Sequence, residues 1–244
     1  MQSLYERAFT GAVNLVQRHI VPLGVRRRMA WRERNIPPPT PEFRARLEQL
    51  GIDVNAIWFG PMTLAPTRLQ YIVSELEARR PRRVLEVGSG SSTPVIAALA
   101  KLYGFEFYSL ENFAGSAEYV EGLLQRMDLE RYVRLIVCGF RRRYYPDGRA
   151  YWWYDLDVAS FGGSIDMVLI DGPMGTLVGR NGTVPEVRAY LSPDCLILLD
   201  DAIRSHEKNC VSEWQSYFGG LICATSPTAP EMARLHFAPT LAAN

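Results

Sequence analysis

The stretch Val84-Leu85-Glu86-Val87-Gly88-Ser89-Gly90-Ser91-Ser92-Thr93-Pro94 joins a short apolar run to a glycine bend, and a proline then opens a second apolar run over residues 94–102. The first run reads as a buried strand and the second as a helix. Gly88 and Gly90 permit a tight turn and close backbone approach to a ligand. Ser92 or Thr93 can cap the helix, and Pro94 suits its first turn. The free N–H groups of that turn attract an anion. Strand, glycine bend and helix form the opening unit of a parallel sheet, in which ligands bind beyond the carboxyl ends of the strands.

The same alternation continues outward from this unit. Residues 67–80 carry helical spacing at Leu69, Ile72, Val73 and Leu76, and residues 116–127 and 207–218 read as further helices. Residues 105–110, 133–138, 167–170 and 196–199 are β-rich runs, and 221–224 with 233–237 can close the sheet as a hairpin. The expected fold is therefore α/β: a doubly wound, mostly parallel, seven-stranded Rossmann-like sheet. The whole chain, 244 residues at 48% apolar, suits one such domain with a short appendage.

That appendage is residues 1–50, read as a basic helical arm before a domain spanning 51–244. Tyr5, Phe9, Ala12, Val13, Val16 and Ile20 make one apolar stripe, Pro22 and Gly24 end it, and Pro37-Pro38-Pro39 marks the boundary. Nine Arg against four Glu give the arm net +5, whereas the remainder is net −4. Two uses fit residues 1–35: packing on the domain or a twin subunit, or peripheral contact of Arg7, Arg18 and Arg26 to Arg28 with an anionic membrane. The overall balance gives no nucleic-acid footprint. No apolar run reaches the roughly 18 residues that span a bilayer, and no secretory signal precedes the arm. The four cysteines are dispersed, so thiols in a reducing cytoplasm are expected.

Glu86 decides between cofactors. A pyrophosphate would be repelled by a carboxylate at this strand end, and the dinucleotide fingerprint needs a small residue where Thr93 stands. A nicotinamide-dependent oxidoreductase is thus the weaker reading, and an amino acid joined to a nucleoside fits better. Glu111, 23 residues beyond Gly88, can accept both ribose hydroxyls. Gly139 and Phe140, after the third strand, offer a backbone and a ring for adenine.

LEVGSGSST (85–93), YSLEN (108–112), IDMVLIDGP (165–173) and LILLDDAIRSHE (196–207) together resemble the class I S-adenosylmethionine-dependent methyltransferases. Ser92 replaces the last glycine of that family's motif, as in bacterial O-methyltransferase-like members. The resemblance implies S-adenosylmethionine held by Glu86, Gly88, Ser89, Gly90, Ser92, Thr93, Glu111, Asn112, Gly139, Phe140 and Asp171. It also implies methyl transfer to a nucleophile. The DGP and LLDDAIRSHE segments are similar to those of enzymes acting on sugars, which points to a hydroxyl of a glycan or natural-product-like small molecule. A non-catalytic, membrane-associated binding module that kept the fold is the other reading.

Three carboxylates, Asp171, Asp200 and Asp201, stand at the ends of the fourth and fifth strands. Hard oxygen ligands suit Mg²⁺, Mn²⁺ or Ca²⁺. Catechol-type O-methyltransferases look similar here, although Met174 stands where they carry a lysine base. The alternatives are that Asp171 positions cofactor or substrate and that Asp200 or Asp201 caps the following helix. Asp171, Asp201 and His206 are the candidates for taking the acceptor's proton. Trp153 and Tyr154 are expected to face the cleft from an aromatic lid over residues 141–163. Arg180, in a loop with Gly175, Gly179 and Gly182, and Arg204 are expected to meet an acidic substrate.

Overall fold

The computed structural model describes residues 2–20, 36–60, 63–174, 178–226 and 228–238. Its sheet contains β1 (Arg83–Val87), β2 (Glu106–Glu111), β3 (Arg134–Val137), β6 (Ile165–Ile170), β7 (Leu191–Leu199), β8 (Leu221–Thr225) and β9 (Ala233–Phe237). The strand order is β3-β2-β1-β6-β7-β9-β8, parallel from β3 through β7 and antiparallel where β9 meets β7 and β8. The strand order switches between β1 and β6, with β2 and β3 added on one side and β6 and β7 on the other, which puts the crevice of the sheet beyond Val87 and Ile170. The expected fold class is the observed one.

Side chains of a strand alternate between faces, so one strand feeds two cores. Val84, Phe107, Met167 and Leu198 pack under α2 (Pro41–Gln49), α3 (Pro66–Arg79), α4 (Ser92–Tyr103) and α5 (Ala114–Arg126). Leu85, Leu110, Val168 and Ile197 pack on the other face with α6 (Thr183–Val187) and α7 (Ser205–Tyr217). Every residue from Ser92 to Ala100 is buried, which explains a helix apolar all round.

Two elements depart from the sequence reading. Pro41–Gln49 is a helix, started by Thr40 Oγ1 accepting from the Phe43 amide at 3.2 Å, and its Phe43 and Leu47 belong to the sheet's first core. The stretch expected to form a lid is instead an antiparallel hairpin, β4 (Phe140–Tyr144) and β5 (Ala150–Tyr154). Its Pro146-Asp147-Gly148 bend is a turn signal, with Gly148 at φ +85°.

The amphipathic stripe near the N-terminus forms α1 (Leu4–Leu15), continued by a π-helical turn over Val16–Ile20. A reciprocal cap starts it: Ser3 Oγ accepts from the Glu6 amide and Glu6 Oε2 accepts from the Ser3 amide. The helix lies on the hairpin, with Phe9 stacked 3.7 Å over Trp152, while Leu4 and Leu15 stay exposed. Pro22, Gly24, the Arg26 to Arg28 triplet and Gly175 lie outside the described residues.

Candidate active site

At the tip of β1 the backbone turns back through Gly88, at φ +96°. A Cβ there would sit 2.6 Å from the Gly172 nitrogen, so only glycine lets the two loops touch. Glu86 lies beneath the bend, fully buried, and accepts from Ser92 Oγ at 2.5 Å, Thr93 Oγ1 at 2.7 Å and Ser109 Oγ at 2.6 Å. Thr93 Oγ1 in turn accepts from the Gly90 amide at 2.9 Å. Burial pushes the Glu86 carboxyl up to about 7, against the pull of the three hydroxyls.

Glu86 and Thr93 therefore line no part of the crevice. They brace the bend from behind, a correction to their reading as cofactor contacts. Nor do Ser92 and Thr93 cap α4 with their side chains, whose oxygens are spent on Glu86.

Gly88, Ser89, Gly90, Ser92, Glu111 and Asn112 do line one cavity of about 860 Å³ at the strand ends. Glu111 Oε1 accepts from the Asn112 and Phe113 amides at 2.7 and 2.9 Å, and Oε2 accepts from Ser89 Oγ at 3.0 Å. Those amides lower its pKa, but burial dominates and raises it. Oε2 keeps acceptor capacity for a further donor. Asn112 Nδ2 donates to Gln17 Oε1 at 2.7 Å, which brings α1's last turn into the cavity wall. Sequence reasoning missed Gln17, because a polar residue late in an amphipathic helix carries no signal of what it will meet.

Gly139 and Phe140 are not in the wall. Gln2 and Thr10 of α1 cover Gly139, the Phe140 amide donates to Thr10 Oγ1 at 3.0 Å, and the Phe140 ring is wholly buried. Tyr154 does reach the cavity, and its buried hydroxyl has no hydrogen-bond partner among the described residues. Trp153, its neighbour, is buried in the same second core and is not in the cavity wall. Its expected role at the cleft is withdrawn.

Beyond β6 and β7 the cavity meets Asp171, Asp200 and Asp201, which can each bring one carboxylate oxygen within 4.8 Å of the others. That spacing alone would suit a divalent ion. Two guanidiniums already occupy it. Arg68, on the first turn of α3, puts Nη1 at 2.7 Å from both Asp200 oxygens and 3.2 Å from Asp201 Oδ1.

Arg180 donates to the Asp200 and Asp171 carbonyls at 2.8 and 2.6 Å and to Asp171 Oδ1 at 3.1 Å. At 4% exposure Arg180 braces the strand ends while still lining the cavity. Arg204 does line the cavity, with Nη1 at 2.7 Å from Asp201 Oδ2. The donor set as arranged fits guanidinium and does not fit a divalent cation.

Burial and the neighbouring Asp200 charge hold Asp171 well above the ordinary carboxylate range, and burial raises Asp200 too, with Arg68 opposing. Asp201 adopts φ +57°, a left-handed conformation uncommon outside glycine. Neither Asp200 nor Asp201 caps α7, whose N-cap is Arg204 without a side-chain bond. His206 is exposed on the first turn of α7 beside Gly179 and outside the cavity lining. It has no place at the reacting atoms. Arg68 gave no sequence signal, since its partners lie 132 and 133 residues away.

Residues 85–202 match a family model described as a methyltransferase domain. No curated protein matches the chain. Among solved structures, a methyltransferase of Podospora anserina with bound S-adenosylhomocysteine superposes at TM-score 0.55 with 14% identity, over 86% of this chain and 93% of that one. An O-methyltransferase from Bacillus cereus, also with the cofactor product, gives 0.52 and 14%, over 81% and 90%. The O-methyltransferase TomG of Streptomyces achromogenes, described as involved in tomaymycin synthesis, gives 0.51 and 15%, over 73% and 82%. Residues 85–202 thus carry a methyltransferase-domain match, set in a seven-stranded sheet whose fold is shared with these solved methyltransferases.

Proposed function

We propose that the protein transfers the methyl group of S-adenosylmethionine to a hydroxyl of a glycan or natural-product-like small molecule. One observation carries the reading. A single cavity runs from the Gly88 to Ser92 bend and Glu111, where a nucleoside would sit, to Asp171 and the arginines, where an acceptor would sit. Its volume falls in the range of small-molecule sites and leaves room for two ligands.

The bound sulfonium supplies an activated methyl group and its own leaving group. What the chain must do is hold the acceptor oxygen at about 3 Å in line with that carbon, a positioning effect worth up to roughly 7–11 kcal/mol. The forming O–C bond releases the hydroxyl proton. Asp171 is placed to take it: Oδ1 is held by Arg180, and Oδ2 accepts no hydrogen bond among the described residues. Its raised pKa makes it a stronger base than an ordinary carboxylate. Asp201, paired with Arg68 and Arg204, orients this end of the cavity. No step is assigned to a metal ion.

A polyol acceptor is favoured over a flat phenol. Thr63, Thr67 and Thr228 line the acceptor end with Arg68 and Arg204, and the tryptophan that would clamp a ring is buried elsewhere. Among the described residues no helix is long and apolar enough to cross a membrane. We place the reaction in the cytoplasm, with the outward Leu4 and Leu15 of α1 as the side on which residues 1–35 would meet a second subunit or a membrane surface.

Two measurements test the proposal. Calorimetry should find S-adenosylhomocysteine binding and no binding of NAD(H); the reverse result overturns it. With radiolabelled S-adenosylmethionine, label should pass to glycosides and polyhydroxylated acceptors before catechols. Transfer to catechols alone would refute the acceptor assignment and leave the methyltransferase assignment standing.

A further inference from the structure

We infer that a guanidinium has taken the cation position at these strand ends: Arg68 closes the acid cluster from within, and the protein binds no divalent metal there. The inference concerns ion binding alone and does not rest on the nature of the acceptor.

Cations already stand against these acids without an ion. Asp171, Asp200 and Asp201 are each in contact with Arg68, Arg180 or Arg204, although Glu231 and Glu207 draw on Arg68 and Arg180 as well. Asp200 is the key acid, because its carboxylate is 3% exposed and both of its oxygens sit 2.7 Å from the same Arg68 nitrogen. A metal bound to Asp200 would have to lie at about 2.0–2.6 Å from those oxygens. It would thus share them with a cation that cannot lose its proton.

Arg68 is not free to leave. Its side chain is 14% exposed, its Nε lies 3.4 Å from Glu231 on the loop between β8 and β9, and its backbone is fixed in α3's first turn. Swinging it out would strand a buried carboxylate and leave Glu231 unpaired. Arg180 reinforces the arrangement from the opposite side through two carbonyls, so its removal would open the strand ends rather than make room for an ion.

The test is a titration of the full chain with Mn²⁺, read by the loss of the free-ion electron paramagnetic resonance signal. No methyl acceptor is needed. Wild-type protein should bind no stoichiometric Mn²⁺ up to millimolar concentration, and its melting temperature should be the same in EDTA and in Mg²⁺. Arg68→Ala vacates the position and should bind Mn²⁺ at least tenfold more tightly than wild type, with Asp200→Asn in that background abolishing the gain. Stoichiometric wild-type binding that Asp200→Asn removes would overturn the inference. So would an Arg68→Ala protein that is folded yet binds no better than wild type. If Arg68→Ala fails to fold, the wild-type titration and Arg68→Met, which keeps the apolar stem, decide the matter alone.

Discussion

The two halves of the crevice bury carboxylates at neighbouring strand ends and neutralise them by opposite means. At β1 and β2, Glu86 and Glu111 are surrounded by hydroxyl and amide donors, with no cation in contact among the described residues. At β6 and β7, Asp171, Asp200 and Asp201 are met by guanidiniums. The first arrangement meets each carboxylate with neutral donors, and burial still raises both acids. The second sets guanidiniums against its carboxylates, although burial still raises Asp171 and Asp200. Neutral donors suit recognition here, and ion pairs suit the end that does chemistry.

Breaking the ionic half should cost most. Arg180→Met leaves two carbonyls and a buried carboxylate without a partner, and we expect a loss of about 3–5 kcal/mol in urea unfolding. A loss under about 1 kcal/mol would show that the brace is dispensable.

The neutral half should respond to pH instead. Glu86 has a folded pKa of about 7 against an ordinary 4.5, so the native state holds its proton more tightly than the unfolded chain. Its stabilising contribution is complete below about 4.5 and lost as pH rises to about 7, on the order of 3 kcal/mol in all. Glu86→Gln should flatten the urea midpoint between pH 5 and 8. A residual slope will remain, because Glu111, Asp171 and Asp200 are raised as well. An unchanged profile would place the Glu86 proton elsewhere.

Smaller effects sharpen the contrast. Glu111→Ala should weaken S-adenosylhomocysteine binding by about 1–3 kcal/mol by calorimetry, as loss of a charged acceptor does. Gln17→Ala should weaken it by about 0.5–1.5 kcal/mol through Asn112. If Gln17→Ala leaves affinity untouched, α1 is packing only.

The strands were legible because a parallel sheet buried on both faces writes itself as short apolar runs between helical patterns. Residues 84–87 and 167–170 were read within two residues of β1 and β6. The glycine bend and Glu111 were legible because local chemistry and spacing fix them. Glu86 shows the limit: its place at a strand end was readable, but the alternation that turns it away from the ligand, toward Ser92, Thr93 and Ser109, was not applied. The hairpin announced itself in Pro146-Asp147-Gly148 and was passed over for its aromatic and basic composition. Arg68 and Arg180 were beyond reach, since their roles exist only once strand ends distant in sequence stand side by side.

The docking of α1 has a consequence for synthesis. Phe9 finds Trp152, and Gln2 finds Phe140, across 138 intervening steps in the latter case. During synthesis α1 thus waits, its apolar stripe uncovered, until the β4–β5 hairpin has followed it. Since Gln17 lies just beyond that helix, the part of the cavity wall it makes with Asn112 closes only at that late docking.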